Sequence, residues 1–171
     1  MLTAKEARKI LESAIPLINS VVEGVLELDA GEQWSKPVII ENCTIESLTC
    51  IMVQFQKHVK IKNCHLKNAS FNFSYFVGGL TIENCEFDEY LDFEAGGHNS
   101  VGNNIIIRNS QFNGFVNFFD CWFTGEIAIC NNTFRRGTNI LSKNQLVSFD
   151  IPLYLDNNVG DISVESECRN E

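Results

Sequence analysis

The chain has 171 residues, a formal net charge of −9, 13 Phe and 7 Cys. The length suits one domain, and the acidity disfavours direct contact with nucleic acid, whose phosphates call for Lys and Arg. No apolar run is long enough to span a membrane, and no charged n-region precedes an apolar stretch, so the sequence predicts no secretory signal and a cytoplasmic location.

The N-terminus reads as a helix. Thr3-Ala-Lys-Glu6 is a capping-box pattern. Ala7, Ile10, Leu11 and Ala14 follow at helical spacing. Pro16 kinks or ends the helix, and Leu17, Ile18, Val21 and Val22 extend an apolar face beyond it. Residues 1–24 are therefore expected to form a helical cap, with the first strand starting at Val25 to Leu28.

From Val38 onward a five-residue beat takes over. Val38-Ile-Ile40-Glu-Asn42, Cys43-Thr-Ile45-Glu-Ser47, Leu48-Thr-Cys50-Ile-Met52 and Val53-Gln-Phe55-Gln-Lys57 make one round. Val59-Lys-Ile61-Lys-Asn63, Cys64-His-Leu66-Lys-Asn68, Ala69-Ser-Phe71-Asn-Phe73 and Ser74-Tyr-Phe76-Val-Gly78 make the next. The beat continues through Leu80-Thr-Ile82-Glu-Asn84 to Asn132-Thr-Phe134-Arg-Arg136, with single residues such as His58, Gly79, Tyr90, Phe115 and Glu126 between groups. Alternate residues of an extended segment face opposite ways, so the first and third of each unit point inward. A repeat of this kind predicts stacked coils, in which each unit buries its apolar face against its neighbours. Leu153-Tyr-Leu155-Asp-Asn157 resumes the beat after an irregular stretch at 137–150, and 165–171 is a polar tail. One β-helix domain over 25–164 is expected.

These units resemble the pentapeptide-repeat family, in which a small residue stands two places before a central Leu or Phe. The resemblance covers roughly residues 38–136. It implies an all-β fold, a right-handed parallel β-helix with four pentapeptides per coil. Val, Leu or Ile at many first positions and an extra residue in most coils depart from the family pattern.

Three columns follow from the register. Cys43, Cys64 and Cys85 share an inward position and read as a reduced, apolar core column that continues to Ser110 and Asn132. Asn42, Asn63, Asn84, Asn109 and Asn131 end their units and predict a turn-stabilising ladder. Their N-x-S/T matches at Asn42 and Asn131 are then accidental. Glu41, Lys62, Glu83 and Arg108 alternate in sign coil by coil and should pair across neighbouring strands.

Chemistry-bearing motifs are few. Neither a phosphate-binding glycine loop nor a HExxH or GxSxG pattern occurs, and no CxxC spacing points to zinc. No cofactor is expected. Asp92 and Glu94 lie on one face of a strand, as a glycosidase pair would, but a small carbohydrate-active enzyme is the least favoured reading. Two surface features stand out. The first is Gly96-Gly-His98-Asn-Ser-Val-Gly-Asn-Asn104, nine residues where a five-residue unit belongs, expected to bulge as a mobile loop that is either a tolerated insertion or a partner contact. The second is an aromatic set: Tyr75 and Trp122 outward on the fourth face, Phe115 at a corner, and Phe119 outward on the third. Acids gather in one coil, at Glu83, Glu86, Asp88, Glu89, Asp92 and Glu94. Some pentapeptide-repeat proteins are thought to mimic duplex DNA and occupy gyrase, and the resemblance implies that alternative here.

The sequence thus predicts a non-enzymatic scaffold for a protein partner, without direct nucleic-acid or membrane binding and compatible with a homodimer. Its candidate contacts are Tyr75, His98, Phe115, Phe119 and Trp122. The acidic alternative uses Glu86, Asp88, Glu89, Asp92 and Glu94.

Overall fold

The computed structural model describes residues 1–29 and 33–165. The chain winds into a parallel β-solenoid of about 7 turns with roughly 22 residues per turn. Coil length varies. Asn42 and Asn63 are 21 residues apart, as are Asn63 and Asn84, whereas Cys85 and Ser110 are 25 apart. The extra residues are taken up at corners, so the strands stay in register.

Four strips of strand run along the axis. Face 1 is a 7-stranded parallel sheet, formed by Leu17–Ile18, Val38–Glu41, Val59–Lys62, Leu80–Glu83, Ile105–Arg108, Ile127–Cys130 and Tyr154–Asp156. Val38 pairs with Val59, Val59 with Leu80, Leu80 with Ile105 and Ile105 with Ile127. Like therefore stacks on like, and these first positions and the Ile at each third position are buried. Face 2 carries Ile45, Leu66, Phe87, Phe112 and Phe134 inward, in matched register. Faces 3 and 4 complete the coil, with Leu48, Ala69, Leu91 and Val116 in register on the third and Phe55 and Phe76 stacked on the fourth.

Stacked rings fill the interior. Phe87, Phe112 and Phe134 form one stack at 5.2 and 5.0 Å, and Phe71, Phe93 and Phe118 another at 5.2 and 5.0 Å. Coils spaced at the strand repeat of about 4.8 Å bring equivalent rings into offset contact without further adjustment. The cysteine column follows the same logic. Cys43, Cys64 and Cys85 are buried free thiols, as are Cys50 and Cys121, and Cys130 is a free thiol at partial exposure. Cys168 and the polar tail beyond Glu165 lie outside the described residues.

The N-terminal helix is shorter than its sequence pattern predicts. It spans Ala4–Glu12, capped by Thr3, whose hydroxyl accepts from the Glu6 N–H while the Glu6 carboxylate accepts from the Thr3 N–H at 2.9 Å. Ala7 and Leu11 are buried. The expected helical face through Val22 is strand instead: Leu17–Ile18 pairs with face 1, and Val21–Glu27 pairs with both Leu2–Thr3 and Thr44–Thr49. The cap thus ends before Pro16, and the solenoid starts eight residues earlier than Val25. The physical reason is competition: Pro16 interrupts the helix, and the β-branched residues beyond it find an open sheet edge to extend.

Phe112→Ala should destabilise the protein by about 3–5 kcal/mol in urea denaturation, because its ring is held between Phe87 and Phe134. A midpoint equal to wild type would mean that the stack is not continuous. Deleting residues 1–14 should yield oligomers on size-exclusion chromatography, because the edge of Val21–Glu27 loses its cover. A monomer with an unchanged Tm would refute the capping role.

Candidate interaction surface

Two corners of each coil are made by single residues in the left-handed backbone region. Between faces 1 and 2 these are Asn19, Asn42, Asn63, Asn84, Asn109, Asn131 and Asn157, with φ from 48 to 56°. Asn tolerates that conformation, and here it also builds the expected ladder. The Nδ2 of Asn42, Asn63 and Asn84 each donates to the Oδ1 of the preceding Asn at 3.0–3.1 Å. Between faces 3 and 4 the same conformation is held by Met52, Phe73, Ala95, Asp120 and Leu146. A side chain with no local hydrogen bond to offer pays about 1–2 kcal/mol for it. Burial does not offset that cost, since Met52 is 69% and Phe73 48% exposed. The sequence did not single out this corner as a surface feature, although Met52 and Phe73 end their units where Asn42 and Asn63 end theirs.

Face 4 borders this ridge. Tyr75, Gly97 and Trp122 pair in register along it, and Trp122 continues to Ser148. The segment 96–104 therefore does not bulge as expected. Gly97, at φ +96°, is threaded beneath Trp122, and a Cβ there would lie 2.6 Å from the Trp122 carbonyl oxygen. His98 also takes a left-handed turn. Its imidazole lies 4.0 Å from the Tyr75 ring and 5.4 Å from the Trp122 ring. Asn99 is buried and anchors the segment: its Nδ2 donates to the carbonyls of Asn103 and Glu126 at 3.0 Å, and its Oδ1 accepts from the Gly125 N–H. Only Val101 to Asn103 are exposed. The insertion is a brace that places His98 between two aromatic rings.

Tyr75 and Trp122 are exposed, at 37% and 45%. The Trp122 Nε1 donates to Asp150 Oδ1 at 2.9 Å. Burial holds the His98 pKa below the ordinary imidazole value. Phe115, expected at an accessible corner, is only 3% exposed and packs against Tyr90 at 5.9 Å. It is buried at its corner and not part of an accessible surface. Phe119 is half-buried on face 3. The candidate strip is therefore exposed Tyr75 and Trp122 with half-buried His98 between them, joined by Met52, Phe73 and Leu146 rather than by Phe115.

The candidate acidic residues are divided between faces and largely engaged. Glu86 Oε1 accepts from Gln111 and Asn113 at 3.0 Å, and Asp88 Oδ2 lies 2.8 Å from His65 Nε2. Asp92 accepts from Asn72 and Asn117 at 2.9 Å and from the Glu94 N–H at 3.0 Å. It belongs to a polar column on face 3 that continues to buried Asn139, whose Nδ2 donates to Asn117 Oδ1 at 2.7 Å. A carboxylate so occupied is a structural member of the coil. Glu89 is exposed at a corner. Glu94 differs: burial, followed by the nearby charges of Asp92 and Asp120, holds its carboxyl above the usual range. The charge column on face 1 pairs as expected at Glu83, which meets Arg108 at 3.1 Å and Lys62 at 3.5 Å. Glu41 pairs with Lys60 at 2.6 Å instead of Lys62.

A shallow groove of about 760 Å³ runs along the asparagine corner, lined by the Asn and Cys columns with Thr44, His65, Glu86 and Gln111. Its amides bond to one another, and its His and Glu have the partners given above. The thiols beside it are buried, and the hydrogen bond with Cys64 holds Cys85 below the ordinary thiol value. Against the lowering effect of Cys43, contact with Cys85 and burial push the Cys64 pKa up to about 12. Among the described residues no group of three or more His, Cys, Asp or Glu is arranged to hold a metal ion.

Replacing Glu94 by Gln should raise Tm at pH 7. With its folded-state pKa above the unfolded value, ionised Glu94 opposes folding, so the native state gains relative stability as pH falls and Glu94 is protonated. The difference between variant and wild type should vanish below about pH 4, where the carboxyl is neutral in both states. A variant less stable at pH 7 would show instead that Glu94 makes a favourable ionic contact. Compared with protein-family models, with curated proteins and with solved structures, the chain matches none.

Proposed function

We propose that this protein is a non-enzymatic binding scaffold, a divergent pentapeptide-repeat solenoid that engages a protein partner through the strip of Tyr75, His98 and Trp122 and the adjoining ridge of Met52 and Phe73. The observation that carries this reading is the ridge itself. Met52 and Phe73 sit in a left-handed conformation that suits Asn better, and they expose their side chains there. The fold does not need them at those positions, whereas an interface does. Clustered exposed aromatics and Met are the residues enriched at the centres of protein interfaces. The bracing of His98 by Asn99 preorganises the strip, which lowers the ordering cost of association.

An acidic DNA mimic acting on a DNA-binding enzyme such as a gyrase would need a continuous run of unengaged carboxylates. Glu86, Asp88 and Asp92 are committed to amide or imidazole partners, which favours the aromatic strip. A carbohydrate-active site on Asp92 and Glu94 is disfavoured for the same reason.

Affinity capture from the native cell with mass spectrometry identifies the partner. Tyr75→Ala combined with Trp122→Ala should then abolish binding, since such anchors carry ~2 kcal/mol or more each, while the circular dichroism spectrum stays unchanged. Charge reversal at Asp88 and Glu89 should matter less, and wild-type affinity should fall only modestly with added salt. The opposite order, with steep salt dependence, would replace the scaffold reading with mimicry.

A further inference from the structure

We infer that the occupant of this strip is an extended protein segment carrying two arginines three residues apart, laid along the solenoid axis. The inference rests on the interaction reading above and specifies its partner. It is carried by the charge and spacing of the groups around the ridge.

Three carboxylates border the exposed rings and the Met52–Phe73–Leu146 ridge. Glu94 stands on face 3 beside the corner, and Asp120 is itself the corner residue between Ala95 and Leu146. Asp150 receives the indole N–H of Trp122 at 2.9 Å and keeps further acceptor positions. Glu94 and Asp120 are near enough for their charges to act on each other. No Lys or Arg occurs in the stretches 49–56, 70–77, 92–98 and 117–124, and the last coil, which carries Leu146 and Asp150, adds one exposed cation, Lys143. The stretch from Tyr75 to Trp122 is therefore apolar, aromatic and acidic at once, with no cation in its own strands. Its complement is a side chain with an apolar stem and a cationic, planar head. Arg meets that description better than Lys, because guanidinium is weakly hydrated, stacks on aromatic rings and pairs with carboxylates through two N–H groups.

The spacing follows from the coil. Tyr75 and Trp122 are separated by one intervening strand, that of Gly97, and Glu94 and Asp150 are likewise two coils apart. At about 4.8 Å per strand, each pair spans roughly 9.6 Å along the axis. Three residues of polyproline-type chain, at about 3.1 Å each, cover about 9.3 Å and return to the same side of the segment. Arginines at i and i+3 thus meet both ends of the strip together, whereas adjacent arginines diverge to different sides.

Two labelled peptides of equal charge and composition test this by fluorescence anisotropy: Pro-Arg-Pro-Pro-Arg-Pro and Pro-Pro-Arg-Arg-Pro-Pro. The first should bind about two- to fivefold more tightly, the worth of one placed cation–aromatic contact. Its lysine counterpart should bind more weakly. Trp122→Ala, Tyr75→Ala and the near-isosteric Asp120→Asn should each reduce its affinity, the last without disturbing the packing. Glu86→Gln, on the strand of face 2, and Glu89→Gln, at the corner beyond it, should not. Equal affinity for the two arginine peptides, or an equal loss in Glu86→Gln and Glu89→Gln, would overturn the inference in favour of general attraction to an acidic protein. If neither peptide binds while the Tyr75 and Trp122 double variant still loses the captured partner, the arginine inference falls and the scaffold reading stands. If the double variant keeps the partner, both fall.

Discussion

Everything in this molecule depends on one constraint: each residue is stacked on its equivalent in the next coil at the spacing of a parallel sheet. That spacing is close to the contact distance of aromatic rings, so Phe on Phe costs no rearrangement, and the interior becomes columns of Phe, Ile and Cys. The same constraint governs the polar groups. An Asn amide one coil away from another Asn amide is at hydrogen-bond distance, and so the corner between faces 1 and 2 becomes a ladder. On face 3 the carboxylate of Asp92 is held between the amides of Asn72 and Asn117.

Stacking also explains why surface chemistry in such a fold is mostly spoken for. A titratable side chain on a strand has neighbours above and below at close range, and these neighbours are commonly its partners. His65 meets Asp88, and Glu83 is shared between Lys62 and Arg108. Counting charges along the sequence therefore overstates how many are available to a ligand. The ridge beside the candidate strip is recognised by the opposite property: Met52 and Phe73 are left exposed, at a corner whose backbone would be better served by Asn.

The 96–104 insertion shows how a solenoid accommodates extra chain. Gly97 keeps the strand register between Tyr75 and Trp122, and Asn99 satisfies buried backbone groups across the gap. The surplus then leaves at Val101 to Asn103 alone. The result is a third ring between two others. Histidine is presented by two consecutive left-handed residues, Gly97 and His98, which no five-residue unit of the regular beat contains.

The period of apolar residues by itself determined the solenoid, its inward positions and the Asn and Cys columns, because alternation along a strand and repetition between coils are both properties of sequence order. It also placed Tyr75 and Trp122 on one outward strip. Only the tertiary structure decided the rest. The helix stops at Glu12 because the residues beyond Pro16 had a sheet edge to join. Phe115 is buried and Met52 and Phe73 are exposed because the cover over a corner residue comes from neighbouring coils, which no repeat period encodes. Asp88 and Asp92 gain partners from residues at least 20 positions away, and Glu94 a raised pKa from burial in the stacked coil. Electrostatics and hydrogen bonding act through space, so their outcome at a given carboxylate is set only once the coils are stacked.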